Sequence, residues 1–77
     1  MVNKIAIILN SIRPEFDFFA SSNFIDDGIL DSFDIINLVT ELDKEFNISI
    51  DGADIIPENF QSLASIQKLL IKSRAKN

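Results

Sequence analysis

Residues 27–34 read Asp27-Gly28-Ile29-Leu30-Asp31-Ser32-Phe33-Asp34, a glycine-containing turn that runs into an Asp-Ser pair and then into a strongly periodic segment. Ile35, Leu38, Val39, Leu42 and Phe46 follow at intervals of three and four, which predicts a helix over about Ser32 to Phe46 with these side chains turned to a core. Ser and Asp are both preferred N-caps, so the pair is accounted for, taken alone, by free backbone N–H groups at the helix start. Whether it does more depends on its surroundings.

Working toward the N-terminus, Val2, Ile5, Ile8, Leu9 and Ile12 recur at helical spacing, so a first amphipathic helix over residues 2 to 12 is expected to end before Pro14. Between Arg13 and Asp31 no helical period persists, but Phe16, Phe18, Phe19, Phe24, Ile25 and Ile29 punctuate the stretch. It reads as a long loop pinned to the core by aromatics, and loops of this length in compact domains have a functional or packing role. Toward the C-terminus, Asp51 to Ile56 suggests a short third turn stopped by Pro57. Ser62 reads as the N-cap of a last helix carrying Leu63, Ile66, Leu69 and Leu70. Lys68, Lys72, Arg74 and Lys76 near its end suit the negative pole of a helix dipole. Strand alternation is limited to a brief Ile48/Ile50 pattern, and there are no repeats, low-complexity segments or linkers. The expected fold is all-α: one domain over residues 1–77, a bundle of three main helices plus one short helix, with a long first loop.

Composition narrows the function. A chain of 77 residues has room for one small core and no second domain in which to enclose a substrate, and its 47% hydrophobic and 25% charged residues are an ordinary globular balance. With no Cys and no His, Cys/His zinc binding and disulfides are excluded, and so are the commonest nucleophile and general base. If thioesters are involved, the thiol must be borrowed. A hydrolase built on Ser32 lacks both a His and a G-x-S-x-G elbow. Asp26, Asp27 and Asp31 do not match an EF-hand loop, so no metal site is expected. The apolar run Ile5 to Leu9 is too short for a membrane span or a signal core, which points to a cytoplasmic protein without membrane insertion.

The net charge is −5, and all twelve acidic residues lie between Glu15 and Glu58, where Lys44 is the only base. Such a field repels nucleic acid and anionic lipid and steers the chain toward basic patches on partners; it also serves solubility alone.

The run from Asp27 to Asp34 resembles the prosthetic-group site of phosphopantetheine-binding acyl carrier proteins, in which an Asp-Ser-hydrophobic core follows a glycine-containing turn. The likeness continues through Leu38, Val39, Leu42, Glu45, Phe46, Ile48 and Ile50 into Pro57-Glu58-Asn59-Phe60-Gln61-Ser62-Leu63. It implies an acyl-carrier-protein-like four-helix bundle, free-standing and non-catalytic. Ser32 would be the attachment point of a 4′-phosphopantetheine derived from coenzyme A, making the chain a phosphoprotein that holds an acyl or aminoacyl cargo as a thioester. The implied partners are a phosphopantetheinyl transferase and the enzymes that load and process the cargo, acting on a monomer.

On the second helix Phe33, Ile36 and Thr40 lie on a flank apart from the core stripe. They are expected either to pack under the long loop or the short third helix, or to form a docking patch. In similar carriers this helix is the principal surface that partners recognise, and the corresponding docking residues here are Asp31, Phe33, Asp34, Ile36, Glu41 and Asp43, with Glu45 beside them. Asn37 and Lys44 stand where fatty-acid carriers are often acidic. That leaves fatty-acid, polyketide and nonribosomal-peptide pathways open, as well as a free-standing peptidyl or D-alanyl-type aminoacyl carrier. From a different class, an unmodified helical interaction domain would use Ser32 only as a cap.

Overall fold

A computed structural model describes residues 2–20 and 22–76. Three helices form where the apolar periods place them: α1 (Val2–Ile12), α2 (Ser32–Phe46) and α3 (Leu63–Lys76). No strand occurs among the described residues. Each helix contributes alternate turns to one interior. Ile5 and Leu9 of α1, Leu38 and Leu42 of α2, and Ile66 and Leu70 of α3 are fully buried, and α1 packs on both other helices. Among the described residues no helix is long and apolar enough to cross a membrane.

Phe24 and Phe60 close the interior from the connecting segments. Phe24 is the anchor of the long first loop: its ring meets Phe18 edge-on at 5.1 Å, and its N–H donates to the Gln61 carbonyl at 2.6 Å. Its carbonyl accepts from Ile29 (2.9 Å) and Leu30 (3.1 Å), which folds the chain back just before α2. The aromatics expected to pin this loop therefore divide. Phe18 and Phe24 are buried, whereas Phe19 is 65% exposed and Phe16 lies at the surface.

Among the described residues three α-helices form, and the short third turn expected at Asp51 to Ile56 is 3₁₀ in form, not an α-helix. Two 3₁₀ turns, Gly52–Asp54 and Pro57–Asn59, occupy this segment. Asp51 caps the first by accepting the Ala53 N–H at 3.0 Å, and Pro57 starts the second. The segment is too short to repay helix nucleation, Gly52 disfavours it further, and Pro57 has no N–H with which to continue it. Side-chain ties hold the two turns to the body: Asn59 Nδ2 donates to the Asp54 carbonyl at 2.7 Å, and Lys72 of α3 meets the Asp54 carboxylate at 2.8 Å. Ser62 caps α3 as expected, its Oγ accepting the Ser65 N–H at 3.1 Å. α2 ends at Asn47, which takes the left-handed conformation at φ 53° and donates its N–H to Asp43 O. The Asp43 side chain then accepts the Ile50 N–H at 3.1 Å, so this carboxylate fixes the exit from the helix.

Candidate functional site

The approach to Ser32 is set by backbone geometry. Gly28 sits at φ +72°, where a β-carbon would touch nothing within 4 Å, so glycine is used there for conformation and not for space. The turn lets Ile29 and Leu30 bury, and the chain then emerges extended at Asp31 (φ −109°, ψ −175°). Asp31, not Ser32, is the N-cap: its Oδ1 accepts the Asp34 N–H at 2.9 Å, and Asp34 Oδ2 returns the contact to the Asp31 N–H at 3.2 Å. This reciprocal capping box leaves Ser32 as the first residue of the helix. Its side chain is exposed, and no described group takes its hydroxyl.

Asp34 faces inward. It is 7% exposed, and Oδ2 also accepts Arg13 Nε at 2.8 Å. Arg13 reaches Asp31 Oδ2 at 3.5 Å and Glu15 at 3.7 Å, so one guanidinium ties the end of α1 to the start of α2. The hydrogen bond from the Asp34 backbone holds the Asp31 carboxyl below the usual carboxylate range, against the opposing effect of desolvation and with help from the Arg13 charge. The hydrogen bond to Asp34 in turn raises the Arg13 guanidinium.

Beside Ser32 lies an apolar groove of about 220 Å³, with Ser32, Ile35 and Ile36 on the α2 side and Ile55, Ile56 and Pro57 opposite. Phe33 and Ile36 are 77% and 59% exposed, so neither is covered by the loop or the 3₁₀ turns. Of the residues expected to dock partners, Asp31, Phe33, Ile36 and Glu41 are exposed, Phe33 and Ile36 on the side of Ser32 and Glu41 on the side that faces the end of α1. Asp34 and Asp43 hold the fold, as described, and Glu45 meets Lys4 at 3.6 Å. The sequence reading missed Arg13 and the Ile55-Ile56-Pro57 wall. Arg13 had a faint signal, as a lone base directly before the acidic stretch.

The arrangement suits a phosphodiester on Ser32. No described group takes the hydroxyl, the first turn of α2 directs N–H groups and the positive end of its dipole toward that position, and Arg13 offsets the buried Asp34. An arm leaving Ser32 has an apolar groove at its base.

No family model matches the chain, and no solved structure matches it. Among curated proteins, Aminoacyl carrier protein 1 of Bradyrhizobium diazoefficiens is 36% identical over 42 residues, which cover 54% of this chain and 47% of the relative. The match thus spans about half of each protein. This likeness supports a carrier-protein family.

Proposed function

We propose that this chain is a non-catalytic carrier protein that bears 4′-phosphopantetheine on Ser32 and presents an aminoacyl or acyl thioester to partner enzymes. The observation that carries this reading is the exposed Ser32 side chain, whose hydroxyl no described group takes: Asp31 performs the capping, which leaves the serine available beside an apolar groove. When bound, the group supplies the thiol that a chain without Cys lacks. Ser32 Oγ accepts the phosphopantetheinyl group of coenzyme A: its O–H bond is replaced by an O–P bond, adenosine 3′,5′-bisphosphate leaves, and the proton passes to solvent or a base on the transferase. The α2 N-terminus stabilises the resulting anion. Exposed Phe33 and Ile36 form the docking patch, with Glu41 on the α1-facing side of the helix, for the transferase and the loading enzyme, whose complementary surface is basic and apolar.

An aminoacyl cargo is favoured over a fatty acyl one by the name of the Bradyrhizobium relative, together with Asn37 and Lys44 on α2. The test is mass spectrometry after incubation with coenzyme A, Mg²⁺ and a phosphopantetheinyl transferase of broad specificity. One phosphopantetheine mass is expected on the wild type and none on Ser32→Ala. An unmodified wild type, or the same addition on Ser32→Ala, overturns the proposal.

A further inference from the structure

Two Asp-Gly pairs occur in the chain, Asp27-Gly28 and Asp51-Gly52. In such a pair the backbone nitrogen after the aspartate can attack the side-chain carboxyl, because glycine has no β-carbon to obstruct the approach. Both pairs are exposed, so exposure does not choose between them. Their backbones do. Gly28 donates its N–H to the Ile25 carbonyl at 3.1 Å, and the turn around it is anchored by the buried Phe24, Ile29 and Leu30. No described group takes the Gly52 N–H, and neither 3₁₀ turn that follows Asp51 buries a residue.

We propose that Asp51-Gly52 is a site of covalent backbone rearrangement, which converts Asp51 to isoaspartate and loosens the side of the Ser32 groove formed by Ile55, Ile56 and Pro57. The reaction needs only water. The Gly52 nitrogen bonds to Asp51 Cγ and gives up its hydrogen, while a carboxyl oxygen leaves as water from the protonated acid. Water then opens the succinimide. Opening between the Asp51 main-chain carbonyl carbon and the nitrogen routes the chain through the former side chain, and the product has the mass of the starting protein.

Ring closure needs Asp51 Cβ and the Gly52 nitrogen nearly eclipsed about the Cα–C bond, and ψ 133° holds them apart. The Asp51 carboxylate is meanwhile engaged by the Ala53 N–H at 3.0 Å. Reaction therefore waits on local opening, which is easier for a turn with no buried residue than for the turn anchored by Phe24. Once formed, isoaspartate adds a methylene to the main chain and moves the carboxylate to the α-carbon. The Ala53 cap and the bond from the Asp54 N–H to Asp51 O (2.8 Å) are then lost. Ile55 and Ile56 follow directly, so their side of the groove loses its upstream anchor while α2 keeps its own caps. The inference holds whatever Ser32 carries.

To test it, the full chain is aged for weeks at neutral pH, in buffer and separately in urea, then labelled with an isoaspartyl methyltransferase and S-adenosylmethionine. Trypsin cleavage after Lys44 puts the two pairs in different peptides. In buffer, methyl groups are expected on the peptide that begins at Glu45 and not on the one that holds Asp27; in urea, on both. Gly52→Ala should lose the label and keep the wild-type far-UV circular dichroism, since a β-carbon at Gly52 meets nothing within 4 Å and its φ is not positive. The purified isoaspartyl form should exchange its amides at residues 53–56 faster than fresh protein, with α2 unchanged. The proposal is overturned by an unlabelled Glu45 peptide in buffer, by equal label on both peptides there, or by the same preference in urea. Label that survives Gly52→Ala, or unchanged exchange at 53–56, also overturns it.

Discussion

Replacing Asp34 separates an architectural carboxylate from a docking one. The carboxylate accepts two hydrogen bonds on Oδ2, from Arg13 Nε at 2.8 Å and from the Asp31 N–H at 3.2 Å, in a residue that is 7% exposed. Asp34→Ala removes the acceptor of both bonds and strands the Asp31 N–H. Hydrogen bonds to charged groups contribute about 1.5–3 kcal/mol, and an N-terminal capping contact about 1 kcal/mol. The two do not add fully, and the Arg13 side chain is 36% exposed, so solvent screens its share. A net loss of about 2 kcal/mol follows, against roughly 4–12 kcal/mol for a domain of 77 residues. In a domain of this size that lowers the melting temperature by about 8–16 °C. Asp34→Asn keeps an oxygen for the Asp31 N–H and loses the charge, so it should fall between the wild type and Asp34→Ala. Urea unfolding followed by far-UV circular dichroism reads the difference directly. If Asp34→Ala unfolds within about 0.5 kcal/mol of wild type while transfer from coenzyme A slows, Asp34 acts on the partner and the structural reasoning is refuted.

Ile36→Glu changes an exposed side chain, so it should leave stability within about 0.5 kcal/mol while reducing the kcat/KM of the transferase by about 5- to 30-fold, the loss of one interface anchor; unchanged kinetics would remove Ile36 from the docking patch. Acid titration probes Asp31, whose carboxyl is held low in the folded state, so its contribution is present above the ordinary carboxylate range and is lost as the pH falls through the lowered value. Asn caps a helix about as well as Asp. Asp31→Asn should therefore match wild-type stability near neutral pH and show a shallower decline in acid, and parallel declines in the two proteins would contradict the assignment.

The helices were legible because each has an apolar period of its own. Ile5 and Leu9, Leu38 and Leu42, and Ile66 and Leu70 announce their burial through spacing alone, and Pro14, Asp31 and Ser62 mark the boundaries. The Asp-Ser pair was legible as a helix start, but not which residue caps, since both side chains are suited to the task. What stayed hidden depends on contacts distant in sequence. Phe18 and Phe19 are neighbours of one residue type, and only the fold buries one against Phe24 and exposes the other. Asp34 carries the same charge as its surface neighbours, and its inward role requires Arg13, 21 residues earlier. The short turn expected at Asp51 to Ile56 was legible from Pro57, but its 3₁₀ form was not, because a segment this short is compatible with either helix type.

The groove beside Ser32 has two unlike sides. Its α2 side belongs to a 15-residue helix capped at both ends, whereas the opposite side hangs from two single 3₁₀ turns and the ties of Asp54 to Asn59 and Lys72. In amide hydrogen exchange the interior of α2 is therefore slow, opening only with much of the fold, while residues 52–59 open locally and exchange early. The width of the groove is governed by its yielding side, so a group settling into it registers as new protection at Ile55 and Ile56, with α2 little changed.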